Sequence, residues 1–210
     1  MSDSFDKQRE RMIETQIRAR GVKDDRVLQA LRKVPRHEFV PPDMVPYAYG
    51  DEPLPMGEGQ TISQPYIVAY MTEALGLDGS ERVLEVGTGS GYQTAVLAEI
   101  ASEVYTIELL AGLADHAREV LDAQGYRNIR YRVGDGGVGW PEEAPFDRII
   151  VTAAAAVMPK ALRDQLQDKG RMVIPLGSDS QELVLVTRRA NDFVSVRLLP
   201  VRFVPLISVH

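Results

Sequence analysis

From Arg82 onward the sequence alternates between short apolar runs and helix-period segments, with a glycine turn at the first join, and few folds accommodate that order. Arg82-Val83-Leu84-Glu85-Val86 reads as a short buried strand, Gly87 to Gly91 as a turn, and 92–100 as a helix. Val104-Tyr105-Thr106-Ile107, Ile129-Arg130-Tyr131-Arg132-Val133, Arg148-Ile149-Ile150-Val151 and Met172-Val173-Ile174 continue the series. A helix marked by Leu110, Leu113, Ala117 and Val120 follows the second strand, and one over 159–168 follows the fourth. Strand–helix alternation of this kind builds a parallel sheet covered on both faces. The ending breaks the rhythm: Leu183-Val184-Leu185-Val186-Thr187 and Val194-Ser195-Val196-Arg197-Leu198 are joined by little more than Asn191-Asp192. A parallel crossover needs a dozen residues, so this pair must be an antiparallel hairpin. The fold class is α/β, doubly wound and mostly parallel.

Two helices precede the sheet. Ile13 and Ile17 mark the first, which Gly21 ends; Val27, Leu31 and Val34 mark the second, with Asp24 or Asp25 as its cap. Six prolines and three glycines between residues 35 and 59 exclude a long helix or a central strand there. Ile67, Met71 and Leu75 then predict a helix over 64–75, with Ser63 where an N-cap would sit. The expected organisation is residues 1–78 as a helical extension with a lid loop, packed on a core of residues 79–210 as one compact domain.

Composition narrows the chemistry. The 210 residues are 44% apolar and 26% charged, ordinary values for a globular chain. No apolar run approaches a membrane span, and the opening residues Met1 to Lys7 lack a signal-peptide pattern, so the expectation is a cytoplasmic protein with no membrane partner. Cysteine is absent, which removes disulfides, thiolate metal sites and cysteine nucleophiles. His37, His116 and His210 are too dispersed to suggest a metal cluster. The net charge of −6 argues against nucleic acid. Residues 1–36 nevertheless hold 10 basic and 6 acidic side chains. They read as a solvated helical face, with a weak dock for an acidic partner as the alternative.

The ligand signal lies in Glu85-Val86-Gly87-Thr88-Gly89-Ser90-Gly91. Glycines at a strand–helix turn let backbone approach a ligand closely. A dinucleotide fingerprint would put its third glycine at 92, where this chain has Tyr92. Glu108 ends the second strand, 21 residues beyond Gly87, where a carboxylate can accept bonds from ribose hydroxyls. Asp135, with Gly136 behind it, ends the third strand, in reach of an adenine amino group.

This pattern resembles the class I S-adenosylmethionine-dependent methyltransferases. Gly59-Gln60-Thr61-Ile62-Ser63-Gln64-Pro65, residues 144–154 and Arg202-Phe203-Val204-Pro205-Leu206 resemble one group within them, the protein-L-isoaspartate O-methyltransferases, from about residue 8 onward. The resemblance implies a seven-stranded sheet with its last strands in an unusual order and no helix between the fifth strand and the hairpin. It implies methyl transfer from S-adenosylmethionine, leaving S-adenosylhomocysteine, to the free α-carboxylate of isoaspartyl residues in damaged proteins, by a monomer. It gives Ser63 the role of orienting that carboxylate, against the helix-cap reading from spacing alone. It places Thr61, Gln64, Glu85, Gly87, Gly89, Gly91, Glu108, Asp135 and Gly136 at the cofactor. Tyr66, Val204, Pro205 and Leu206 fall at the peptide; a plain edge strand ended by proline is the other reading of 204–206. The 53–59 loop would close over the cofactor. Thr152-Ala153-Ala154-Ala155-Ala156 stands where amine methylases carry an N/D-P-P-Y/F segment. A small-molecule carboxyl methyltransferase, a nucleotide-dependent oxidoreductase and a catalytically silent cofactor-binding module remain as alternatives.

Overall fold

A computed structural model describes residues 4–208. Met1, Ser2, Asp3 and His210, used above, lie outside the described residues. Helix α1 (Phe5–Met12) runs into a wide π turn over Ile13–Ile17 and a 3-10 turn over Arg18–Arg20, and Gly21 ends the run. Helix α2 (Asp25–Lys33) is capped by Asp24, whose carboxylate accepts from the Arg26 N–H. Two 3-10 turns, Arg36–Phe39 and Pro42–Tyr47, follow.

A small hairpin comes next, β1 (Leu54–Gly57) and β2 (Gln60–Ile62), where the sequence suggested only loop. Its two-residue turn, Glu58-Gly59, has φ of 51° and 71°. Both central residues are left-handed, as tight hairpins prefer. Glu in place of the usual Asn or Asp concealed it. Helix α3 (Pro65–Leu75) starts one residue later than expected. Its N-cap is Gln64, so Ser63 does not cap it.

The main sheet contains β3 (Arg82–Val86), β4 (Glu103–Glu108), β5 (Ile129–Val133), β6 (Phe146–Val151), β7 (Leu166–Leu176), β8 (Gln181–Arg189) and β9 (Asp192–Val201). Their order is β5-β4-β3-β6-β7-β8-β9. The first five are parallel; β7, β8 and β9 form an antiparallel meander in chain order. Helices α4 (Tyr92–Ala98), α5 (Ala111–Ala123) and α6 (Lys160–Asp164) form the β3–β4, β4–β5 and β6–β7 crossovers, and the β5–β6 crossover carries only a 3-10 turn over Gly136–Val138. Helix α6 is shorter than the predicted 159–168. Strand β7 already begins at Leu166, Lys169 is left-handed at φ 62°, and Gly170 lies too close to the Gln167 and Asp147 carbonyls to admit a side chain.

Alternation along the strands makes two cores. Val83 and Ile150 join Ile13, Leu31 and Leu75 of the helical extension on one face. Leu84 and Ile149 join Leu162 and Met172 on the other. The extension is therefore packed into the sheet's own core, which holds residues 61–63 against the carboxyl ends of the parallel strands.

Candidate active site

Strand β3 delivers the chain to Gly87, whose φ is 97° and whose Cβ, if it had one, would collide with Thr152 Oγ1. That hydroxyl donates to the carbonyls of Val86 (3.0 Å) and Gly87 (2.7 Å) from the end of β6. Glu108, at the end of β4 and 8% exposed, clasps the turn from the other side. Its Oε2 accepts from the Gly89 N–H at 2.9 Å and its Oε1 from the Leu110 N–H at 3.1 Å. Both oxygens are fixed and each keeps a lone pair for a further donor.

A cleft opens over this turn. Its floor is Gly87 to Ser90, its sides are Ile107 to Leu110 and Gly136, and its far wall is Val204 to Ile207. Met56 of the β1–β2 hairpin leans over it, its Cε 3.7 Å from where a Gly89 side chain would begin. A second cleft of about 920 Å³ adjoins it, running past Pro53, Gln64, Ile67 and residues 200–204. Thr61, Ser63, Thr152 and Val204 line both. Residues 204–206 close the junction by pairing with the end of β6: Ala154 N–H donates to the Val204 carbonyl and Leu206 N–H to the Ala154 carbonyl, each at 2.8 Å.

The family profile described as Protein-L-isoaspartate(D-aspartate) O-methyltransferase matches residues 7–210. The chain belongs to this methyltransferase family. It is 54% identical to a protein-L-isoaspartate O-methyltransferase of Syntrophus aciditrophicus over 214 residues, covering 100% of this chain and 98% of the relative. It is 55% identical to a second such protein, from Shewanella sediminis, over 98% of this chain and 85% of that one. Among solved structures, a protein-L-isoaspartate O-methyltransferase superposes with a TM-score of 0.86 at 30% identity, over 95% of this chain and 66% of that longer one. A Plasmodium falciparum protein assigned to the same activity, solved with S-adenosyl-L-homocysteine, superposes at 0.81 and 26% identity over 98% and 99% of the two chains.

The methyltransferase cleft suits S-adenosylmethionine. The turn presents backbone without side chains, Glu108 presents a fixed carboxylate, and Ile107 and Leu109 present an apolar edge. Of the expected site residues, Thr61, Ser63, Gly87, Gly89, Glu108, Gly136, Val204, Pro205 and Leu206 line this cleft, although Pro205 and Leu206 were expected at the peptide and do not line the second cleft. Five others do not line the first cleft. Glu85 is fully buried behind the turn, where its Oε2 accepts from Thr94 Oγ1 at 2.6 Å and Thr106 Oγ1 at 2.7 Å. Burial pushes its carboxyl up to about 8, against the lowering effect of those two hydroxyls. Gly91 also sits behind, where a Cβ would press on Leu121 of α5 at 3.0 Å. Gln64 lines the second cleft alone and donates to the Asp51 side chain at 2.8 Å. Asp135 lies beside the first cleft rather than in its lining, accepting from Gly137 N–H and Ser208 Oγ. Tyr66 lines neither cleft; it packs near Tyr70 and under Arg20.

The 53–59 loop expected over the cofactor does reach the cleft, through Met56, while sequence reasoning missed Thr152 as a polar group and Tyr92 as a lining residue. Thr152 had a usable signal, being the one hydroxyl in an otherwise alanine-rich strand end. Which residue of that loop overlies the cleft depends on the unanticipated hairpin.

Glu108→Ala is expected to weaken S-adenosylmethionine binding by about 1.5–3 kcal/mol, the scale of hydrogen bonds lost to a charged group. Titration calorimetry checks this, and an affinity within about twofold of the parent protein would remove Glu108 from the cofactor's contacts.

Proposed function

We propose that the two clefts are the cofactor half and the peptide half of one methyl-transfer site, meeting at Ser63. The observation that carries this is their common wall: Thr61, Ser63, Thr152 and Val204 border both. The enzyme is a protein-repair methyltransferase acting on isoaspartyl residues. When bound, S-adenosylmethionine supplies an electrophilic methyl on a sulfonium; the acceptor α-carboxylate takes it as a methyl ester, and the S–CH₃ bonding pair stays on sulfur in S-adenosylhomocysteine.

An α-carboxyl of pKa ~3.5 is already ionised at neutral pH, so the protein need hold no general base. Its residues orient and enclose. Ser63 Oγ donates to one carboxylate oxygen and leaves the other aimed across the junction. Met56 and the Val204–Ile207 wall keep water from the junction. Among the described residues Arg202 is the one charged residue lining the second cleft, and it is a cation, which favours an anionic acceptor. The Val204 carbonyl and Leu206 N–H are committed to Ala154, and Val204 alone of residues 204–206 borders the second cleft, which leaves the Val204 N–H as that segment's group for a peptide backbone. A monomer working in the cytoplasm completes the reading, in keeping with a cysteine-free chain; among the described residues no helix is long and apolar enough to cross a membrane.

The product tests the assignment. An isoaspartyl α-methyl ester lies beside the next backbone nitrogen, and such a neighbour has a high effective molarity. Label transferred to an isoaspartyl peptide at about pH 6 is expected to become volatile methanol at about pH 9, leaving a succinimide. The aspartyl version of the peptide is expected to accept far less. Equal transfer to both peptides, or a label stable in alkali, would show that the acceptor is something else.

A further inference from the structure

We propose that Arg36 is a positioning residue for methyl transfer, which sets the direction of the Ser63 hydroxyl by gripping the Ser63 carbonyl from behind the wall that divides the two clefts. The inference rests on the role given to Ser63 above. Ser63 lies in the short gap between β2, which ends at Ile62, and α3, which starts at Pro65. It belongs to neither element, so neither the hairpin's ladder nor the helix's bonds fix its backbone. The restraint comes from elsewhere. Arg36 Nη2 donates to the Ser63 carbonyl at 2.8 Å, and Arg36 Nε donates to the Ala48 carbonyl at 2.8 Å. The guanidinium lies 4.7 Å from the centre of the Tyr92 ring, at the start of α4, which itself borders the cofactor cleft.

The side chain is 0% exposed, and no carboxylate among the described residues forms an ion pair with it. Its Nη1 meets no acceptor at good hydrogen-bond geometry among the described residues, the Tyr92 hydroxyl being its polar neighbour. A buried cation with no counter-ion is costly. Mere space-filling would be done better by an apolar side chain. What a guanidinium adds is a rigid fork that reaches two carbonyls on different segments with charge-assisted bonds. Burial lowers its pKa only to about 10, so it keeps its charge at neutral pH. Arg36 lines neither cleft, so it acts on substrate only through Ser63.

A double-mutant cycle separates positioning from simple structural support. Arg36→Met keeps length and burial but removes both bonds; Arg36→Lys keeps the charge without the fork. Each is combined with Ser63→Ala, and kcat, both KM values and Tm are measured with an isoaspartyl peptide. Arg36→Met is expected to lower kcat by about thirtyfold or more with the KM for S-adenosylmethionine unchanged within about twofold, and Arg36→Lys to fall between it and the parent. In the Ser63→Ala background either Arg36 substitution is expected to cost less than about threefold further, since two residues acting through one hydroxyl are not additive. The same fold-loss in both backgrounds, or an Arg36 variant with parental turnover, overturns the proposal. If Arg36→Met does not fold, the Arg36→Lys arm of the cycle decides by the same criteria. Full turnover by Ser63→Ala alone would instead overturn the role of Ser63, and with it this dependence.

Discussion

Replacing Ser63 with alanine is expected to lower kcat/KM for an isoaspartyl peptide by about a hundredfold, because misplacing a reacting group by about 1 Å costs that much. The melting temperature should stay within about 1 °C of the parent's. Sequence spacing offered this residue two roles, helix cap or substrate contact, and the structure distinguishes what each loses. Loss of an N-cap hydroxyl typically costs ~1 kcal/mol, which in a chain of this size lowers Tm by roughly 2–4 °C. The cap of α3, however, is Gln64. The Ser63 side chain makes no hydrogen bond to any described residue, and it faces the space where both clefts meet. Turnover and thermal melting on one preparation are sufficient. A Tm that falls while activity per folded molecule holds would return Ser63 to a structural role.

Glu85→Gln is expected to remove a loss of stability that the parent protein suffers as pH rises. The Glu85 carboxyl stands at about 8 in the folded chain because burial opposes its ionisation; Thr94 and Thr106 lower it, and Glu108 raises it further. Its ordinary value is 4.5. Below that pH it is protonated in both folded and unfolded chains and contributes no slope. Between 4.5 and about 8 the folded chain retains a proton that the unfolded chain has released. Stability therefore falls with rising pH across that window, and the fall is complete above it. Glutamine mimics the protonated acid and cannot titrate. Denaturant unfolding of both proteins at about pH 5, 7 and 9 should show the parent losing several kcal/mol relative to Glu85→Gln. Parallel curves would mean that the carboxylate ionises in place without cost.

Much of the fold was legible because the α/β core is written in local periodicity. The apolar runs at 82–86, 104–107 and 148–151 fall inside β3, β4 and β6, and the lack of room for a crossover after Thr187 required the β8–β9 hairpin. The errors fall where backbone geometry, not pattern, decides. The β1–β2 hairpin depends on a left-handed Glu58, and the early start of β7 on a left-handed Lys169 beside Gly170. In the site, Gly87 and Glu108 at strand ends do line the cleft, because the strand boundaries fix their depth. Glu85 was misread because sequence gives its distance along the strand but not which side of the sheet it faces. Its alternation partner Val83 is fully buried, and Glu85 shares that face. Gly91 was misread for a related reason: a glycine required for packing against Leu121 looks the same in sequence as one that admits a ligand. Arg36 carried no signal at all, since an arginine near the end of a basic helix is indistinguishable from a solvated one until Ala48 and Ser63 fold around it.

The junction wall joins Thr61 and Ser63 to Val204 across some 140 positions of the chain, with Ala154 as the seam. Contacts of such long sequence separation are slow to form and follow the local ones. The parallel strands can therefore pair, and the glycine turn can take its shape, while the cofactor's chamber still has no far side. The cleft gains its far wall only when residues 204–207 reach Ala154, so the competence to hold both reactants is among the last properties the folding chain acquires.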